Sequence, residues 1–341
     1  REAWEPDFYG PGGVDELIVR NELVGSLPVL PPGLHFGHLH RLCLSNVGLS
    51  ALEGDFLVRF PQLRSLQLSG NRLTEVPGLG NLHRLISLDA QHNRLTTLEG
   101  VQHLSSLTQL ALNDNQLTAI PGLATLTRLT RLDLRRNRLT ALDGVQGLTL
   151  LTQLDLSDNL LSALPEQIRR LVRLQYLNVS NNQFISLPAG IEHMVGLTQL
   201  HLAENRLTRV PAALSNLTGL RILNLRGNRL TAIPEGLERL RQLVELYLAR
   251  VPVVGVGPVA DLRILLVALE HEGAGADRLL VEVAEAPAGH QLGGVFGRDD
   301  RGKAHGQVLD EGGIDAVEGE DHRVGVALFD PGDVLVQVHA D

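Results

Sequence analysis

Leu63-Arg64-Ser65-Leu66-Gln67-Leu68-Ser69-Gly70-Asn71-Arg72-Leu73 has the form L-x-x-L-x-L-x-x-N-x-L, and the frame returns from Leu85, Leu107, Leu129, Leu151, Leu174, Leu197 and Leu220. Successive starts are 22 residues apart as far as Leu151 and 23 apart thereafter. Departures are mild: Ala90 and Val179 replace the third Leu, and Phe184 replaces the last. A period in this range marks stacked, near-identical units. L-x-L reads as a short strand whose leucines point to one side and whose middle residue points to the other. One strand per unit, stacked about 4.8 Å apart, builds a parallel sheet.

Asn71, Asn93, Asn115, Asn137, Asn159, Asn182, Asn205 and Asn228 stand where each unit leaves its strand. A buried amide there satisfies turn groups that would otherwise lack partners, so this ladder is assigned a structural role. The outer limb carries Leu or Ile, often Pro, then a spaced apolar pair, as in Ile233-Pro234 with Leu237 and Leu240. Its shortness predicts single turns of 3₁₀ or α-helix. Outer limbs bulkier than strands predict a curved stack: an α/β solenoid, a leucine-rich-repeat horseshoe with its parallel β-sheet on the concave face. Imperfect units at both ends read as caps, since an uncovered leucine layer is an open edge. Leu17 to Leu23 is one residue short, Val47 replaces Asn in the unit of Leu39, Leu42, Leu44 and Leu49, and Val251 replaces it after Leu243, Leu246 and Leu248. The chain therefore divides into a segment and cap over 1–38, about ten units of 22–24 residues over 39–250, and a tail over 251–341.

Composition agrees, with 43% hydrophobic residues but only 3% aromatic, as expected where one residue type fills each slot. The single cysteine, Cys43, excludes an intramolecular disulfide framework and a Cys-rich zinc site. No apolar run is long enough to span a bilayer. Arg1 in place of an initiator Met, with no secretion signal in view, reads as a fragment. The formal charge is −9; from Pro252 onward there are 17 Asp/Glu against 6 Lys/Arg, or −11, which leaves +2 for everything before it. An acidic chain without a basic aromatic surface argues against nucleic acid.

The tail from Pro252 contains no Ser, Thr, Asn, Tyr, Trp, Cys or Met, although hydroxyl and amide side chains ordinarily cap helices and turns. It reads either as translation in another frame of GC-rich DNA, giving an irregular or poorly ordered tail, or as a small capping domain. For the latter, Val259, Leu262, Leu266 and Leu269 fall at helical spacing, and Val324–Phe329 and Val334–Val338 read as strands. His271, His290, His305, His322 and His339 match no metal-ligand spacing. Asp299-Asp300 and Glu318-Gly319-Glu320-Asp321 lack the alternating ligands of a calcium loop. Neither a metal nor a cofactor is expected, and no residue is assigned a catalytic role.

The informative positions are the outward ones, which leucine packing does not dictate. They give a polar, mixed-charge face: Arg41, Gln67, Asp89, His92, Arg131, Asp133, Arg135, Arg136, Asp155, Asp158, Tyr176, Asn178, His201, Glu204, Asn224, Arg226 and Tyr247. Such patterning suits a protein partner, with complementarity setting specificity. Tyr176, Arg135, Arg136 and Tyr247 are the expected hot spots, because Tyr and Arg dominate such sites. Arg72, Arg94, Arg138, Arg206 and Arg229, just after the asparagines, read as a solvated edge. Cys43, at an outward position with His40 and His92 placed to lie near it, reads as a passive thiol on the inner surface.

Leu27-Pro28-Val29-Leu30-Pro31-Pro32, Phe36-Gly37-His38-Leu39, Leu44-Ser45-Asn46 and Asp55-Phe56-Leu57-Val58-Arg59-Phe60-Pro61 go beyond a generic repeat. Over residues 14–250 the chain resembles the leucine-rich-repeat region of bacterial effector-like proteins of the novel E3 ubiquitin ligase type. The resemblance implies substrate recognition by the repeats, a partner that is a host protein, and location in the bacterial cytoplasm or, after secretion, in a host cell. In that family a following helical domain supplies a nucleophilic Cys near an Asp. Here no Cys follows Cys43, so only the recognition role carries over. Two alternatives stand beside it: a piece of a ligase whose catalytic half is missing, and a regulator docking a phosphatase or small GTPase.

Overall fold

Strands of only three residues persist here because buried leucines flank and fill every one. The computed structural model describes residues 15–20 and 36–248, apart from 189, 232 and 233, and beyond them only the backbone of the strands between 265 and 339. The molecule falls into two compact units, residues 1–177 and 178–341.

In the first unit β1 (Glu16–Arg20), β2 (Arg41–Ser45), β3 (Ser65–Gln67), β4 (Ser87–Asp89), β5 (Gln109–Ala111), β6 (Arg131–Asp133) and β7 (Gln153–Asp155) pair in parallel, each with the next. The register sets Leu42, Leu66, Leu88, Leu110, Leu132 and Leu154 in one row, none more than 2% exposed. Fully burying each is worth roughly 1.5–3 kcal/mol, so the row alone is a substantial core. The outer limbs are 3₁₀ turns, among them Leu79–Asn81, Val101–His103, Leu123–Thr125 and Val145–Gly147. The residue that lengthens later repeats lies in this limb. Val76-Pro77-Gly78-Leu79 becomes Leu164-Pro165-Glu166-Gln167-Ile168, and the 3₁₀ turn grows to the five residues Glu166–Arg170. Glycine is required at Gly100, where φ is 88° and a Cβ would stand 2.6 Å from the Gly80 nitrogen.

The asparagines stitch each repeat to the one before. Asn93 Oδ1 accepts the Leu73 N–H (3.0 Å), while Nδ2 donates to the carbonyls of Leu68 (2.9 Å) and Ala90 (3.1 Å). Asn115, Asn137 and Asn159 repeat the pattern, and Asn71 takes the N–H groups of Val47 and Leu49. The residue just before each asparagine is left-handed: Gly70, His92, Asp114, Arg136 and Asp158 have φ between 51° and 70°. For a side-chain-bearing residue that costs roughly 1–2 kcal/mol, which the ladder it enters offsets.

β8 (Tyr176–Asn178) lies at the boundary of the units. The second unit holds β9 (Gln199–His201), β10 (Ile222–Asn224) and β11 (Glu245–Tyr247), with Leu200, Leu223 and Leu246 in register. Asn205 and Asn228 bond as in the first unit, and Glu204 and Gly227 before them are again left-handed. Repeat geometry runs to Leu248. Beyond it β12 (Leu265–Glu272) pairs in parallel with β11, and β13 (Ala276–Val283), β14 (Gly293–Arg298), β15 (Ala304–Asp310) and β16 (Gly313–Val317) follow antiparallel. Leu266 and Leu269 thus lie on a strand, which corrects the helical reading; Val259 and Leu262 fall outside the described residues. Of the two strands read near the C-terminus only β17 (Arg323–Val324) and β18 (Val338–His339) are described.

Candidate functional site

On the first unit's strand face, opposite the leucine row, the residue after the central Leu is Gln67, Asp89, Ala111, Asp133 or Asp155 in successive repeats. The carboxylates are not idle there. Asp89 Oδ1 accepts the Gln91 N–H (3.3 Å), Asp133 Oδ1 that of Arg135 (3.0 Å), and Asp155 Oδ1 that of Ser157 (2.9 Å) as well as its hydroxyl (2.6 Å). These are side-chain-closed turns, which favour Asp or Asn. The face is therefore partly written by the backbone, contrary to the expectation that the fold leaves it free. Burial is the largest influence on both Asp89 and Asp133 and pushes their carboxyls above the usual range. The Gln91 and Arg135 N–H groups oppose it, and at Asp133 the neighbouring Asp155 reinforces it.

The left-handed residues form a second row. His92 Nδ1 lies 3.5 Å from Asp114 Oδ2, Arg136 Nη1 donates to Asp114 Oδ1 (3.3 Å), and Arg136 Nε is 3.9 Å from Asp158 Oδ2. Charges thus alternate along the stack. Burial acts to raise the Asp114 carboxyl, but hydrogen bonds from Asn113 and Arg136 and the charges of His92 and Arg136 outweigh it and hold it below the usual range. Arg131 is exposed and makes no ion pair among the described residues, whereas Arg41 reaches Glu16 on β1 (3.0 Å). The Tyr176 hydroxyl donates to Asp155 Oδ2 (3.3 Å), which holds a half-buried ring in place. Arg135 is half-buried, with an Nε that is enclosed and unpartnered, so it is less available than its sequence position implies.

The second unit carries its own set. Asn178 and Asn224 close turns with the N–H groups of Ser180 and Arg226 (3.0 and 3.1 Å), as the aspartates do. The Tyr247 hydroxyl donates to Glu245 Oε2 (2.8 Å); burial first and this carboxylate second push its pKa to about 12. His201 and Arg226 are half-buried, and Glu204 is exposed.

Cys43 departs from its reading as a surface thiol. It is fully buried between the registers of Ile18 and Gln67, with Sγ 3.4 Å from the Ser45 hydroxyl. His40 approaches Asp15 instead, and His92 Asp114. Among the described residues no group of three His, Cys, Asp or Glu side chains could hold a metal, and no helix is long and apolar enough to cross a membrane. Sequence reading passed over Ala111, Asn113 and Ser157. Asn113 is 1% exposed and donates to Asp114 Oδ2 (2.9 Å). Its signal was positional: it stands two residues after Ala111, the one apolar gap between Asp89 and Asp133.

Models of the family "leucine rich repeat" match residues 127–184 and 195–250, and of "leucine rich repeats (2 copies)" residues 61–103, 83–125 and 105–147. The chain is 32% identical to bovine (Bos taurus) osteomodulin over 24% of its length and 37% identical to human podocan-like protein 1 over 27%, spanning only 19% and 18% of those proteins. A leucine-rich-repeat protein of Leptospira interrogans superposes at a TM-score of 0.61 with 25% identity, over 74% of this chain and 77% of that one. The functional domain of InlJ from Listeria monocytogenes, which includes a cysteine ladder, has a TM-score of 0.63 at 23% identity over 74% and 53%. Its likeness extends to the fold alone, since this chain has a single Cys. Register, asparagine ladder and family models converge, and the chain belongs to the leucine-rich-repeat proteins, whose repeats are typical of protein–protein interaction modules.

Proposed function

We propose that the chain is a protein-recognition arm that holds its partner on the strand face of residues 89–176, with Arg131, Arg136 and Tyr176 supplying most of the affinity. The observation that carries this reading is that Arg131 and Arg136 are exposed while the Tyr176 ring is anchored by Asp155. The Tyr176 ring and the Arg136 guanidinium, each already held by a neighbour, lose little freedom on binding, and the exposed Arg131 adds a charge free to meet the partner; Tyr and Arg are the residue types that dominate hot spots. Asn178, His201, Glu204, Asn224, Arg226 and Tyr247 form a second contact set on their own unit. The resemblance of the Phe36–Pro61 segment supports reading the arm as the substrate-recognition part of an effector-like protein acting on a host protein. Residues 27–32, which share in that resemblance, lie outside the described residues. Transfer chemistry is not assigned to this chain, because its one thiol, Cys43, is buried.

The test is quantitative capture of partners by the chain and by an Arg131→Glu, Arg136→Glu, Tyr176→Ala variant. Hot-spot losses of about 2 kcal/mol each predict a fall in affinity of more than 100-fold. Equal recovery by the two proteins refutes the reading.

A further inference from the structure

β1 stands first in the sheet and, among the described residues, pairs only with β2. The unit read as a cap leaves its own layer half open. Leu17 and Val19 are half-buried and Ile18 is 49% exposed, whereas their register partners on β2, Leu42, Leu44 and Cys43, are all fully enclosed. The backbone is open on the same side. The Asp15 carbonyl accepts the N–H groups of His40 (2.9 Å) and Arg41 (3.1 Å), so Asp15 turns its polar groups toward β2, and Leu17 and Val19 follow at alternate positions. Glu16, Ile18 and Arg20 therefore turn their N–H and C=O groups away from β2, as a template for another strand. The strand's sequence, Glu16-Leu17-Ile18-Val19-Arg20, is also its own antiparallel complement. A second copy centred on Ile18 sets Arg20 opposite Glu16, Val19 opposite Leu17 and Ile18 opposite Ile18.

From this complementarity we infer that β1 pairs antiparallel with β1 of a second copy, about a two-fold axis at Ile18, and joins two chains into a dimer. The outward groups of Glu16, Ile18 and Arg20 then meet as hydrogen-bonded pairs, each exchanging both its N–H···O bonds. Leu17 and Val19 fall in the closer pairs between them, about 4.5 Å between Cα atoms, and cover each other's half-exposed side chains. Charge sets the register. Opposite charges face each other only with Ile18 at the centre; moving the centre to Leu17 or Val19 sets a charged residue opposite Ile18 instead. Arg41 engages Oε1 of Glu16 (3.0 Å) and leaves Oε2 to the second copy. Because both chains use the same edge, the contact closes at two and does not run on into a fibre. It stands apart from the recognition proposed above, since β2 and β3 separate β1 from β4, where that face begins.

Sedimentation equilibrium of the full chain at roughly 1–300 µM tests this, because a contact one strand wide lies at the small end of interfaces and implies a Kd of about 10–100 µM. Ile18→Pro removes the central outward N–H and none of the bonds to β2, a change that edge strands tolerate. It should weaken dimerisation about tenfold or more and leave the melting temperature of the dilute chain unchanged. Glu16→Arg should weaken it comparably by setting Arg against Arg20; the pair with Arg41 that it also removes is exposed and contributes little. The exchange Glu16→Arg, Arg20→Glu should restore most of the affinity, a rescue that damage to the fold does not give. If the proline variant melts early, the charge exchange decides. A chain that stays monomeric across the range, which means the edge is closed within the chain, overturns the inference. So does a dimer indifferent to an intact Ile18→Pro chain, or a charge exchange that fails to rescue.

Discussion

Adjacent ladder asparagines should be energetically coupled, and separated ones should not. Asn137 Nδ2 donates to the carbonyls of Leu112 (2.9 Å) and Leu134 (3.0 Å), and its Oδ1 accepts the Leu117 N–H (3.0 Å). The Leu112 carbonyl also takes Nδ2 of Asn115 (3.0 Å), and the Leu134 carbonyl that of Asn159 (3.0 Å). Each such carbonyl therefore has one donor from its own repeat and one from the next. Asn137→Ala orphans only the Leu117 N–H and halves the bonding of the two carbonyls, at a cost of roughly 2–3 kcal/mol. Adding Asn115→Ala strips Leu112 of both donors, a penalty that neither single substitution incurs, and the double-mutant cycle should show at least about 1 kcal/mol of extra loss. Asn93 and Asn137 share no carbonyl, since Asn93 uses those of Leu68 and Ala90, so that pair should add to within about 0.5 kcal/mol. Urea unfolding followed by far-ultraviolet circular dichroism gives both cycles, provided the m-values agree. Equal coupling in the two pairs would refute the idea that stability passes between repeats through shared carbonyls.

Asp133→Asn should raise the melting temperature near neutral pH. Because the folded pKa lies above the unfolded value near 3.8, the contribution of Asp133 is fully present below that value and is lost as pH rises through the folded pKa. The advantage of the variant should accordingly vanish at about pH 3, and a gain independent of pH contradicts the desolvation argument. In a Tyr9→Phe, Tyr176→Phe background, Tyr247 should ionise at about pH 12 in absorbance titration and return toward the ordinary tyrosine value with Glu245→Gln. Gly100→Ala should cost about 2 kcal/mol or more, from a left-handed residue and a Cβ 2.6 Å from the Gly80 nitrogen; an unchanged unfolding midpoint would be inconsistent with that contact. His92→Gly should stabilise by about 0.5–1 kcal/mol, because release from φ 52° outweighs both the entropy of glycine and an exposed ion pair. A loss on calorimetry would count against it.

How much could be read beforehand follows from how many residues each feature needs. Leucine teeth and ladder asparagines announce themselves because every repeat must supply one at the same place, so periodicity alone gives the parallel register of Leu66, Leu88, Leu110, Leu132 and Leu154. Burial of Cys43 was not legible, since its position alternates outward and only the neighbouring β1 shows it to be enclosed. The face was half legible. Asp89, Asp133 and Asp155 look like free surface charges in the sequence, yet each closes its own turn, and the turn bond appears only once the backbone is placed. His92, Asp114, Arg136 and Asp158 occupy left-handed positions that glycine fills in other repeats, at Gly70 and Gly227. Keeping a charged residue where glycine costs less has a physical reason only if the side chain acts outside the backbone. In the first unit those four side chains link into one alternating row, and the one unpartnered buried amide oxygen among their neighbours belongs to Asn113. The backbone thus fixes where Asp89, Asp133 and Asp155 stand, whereas no turn bond of this kind dictates Arg131 or Tyr176, and the proposed recognition rests on those two for that reason.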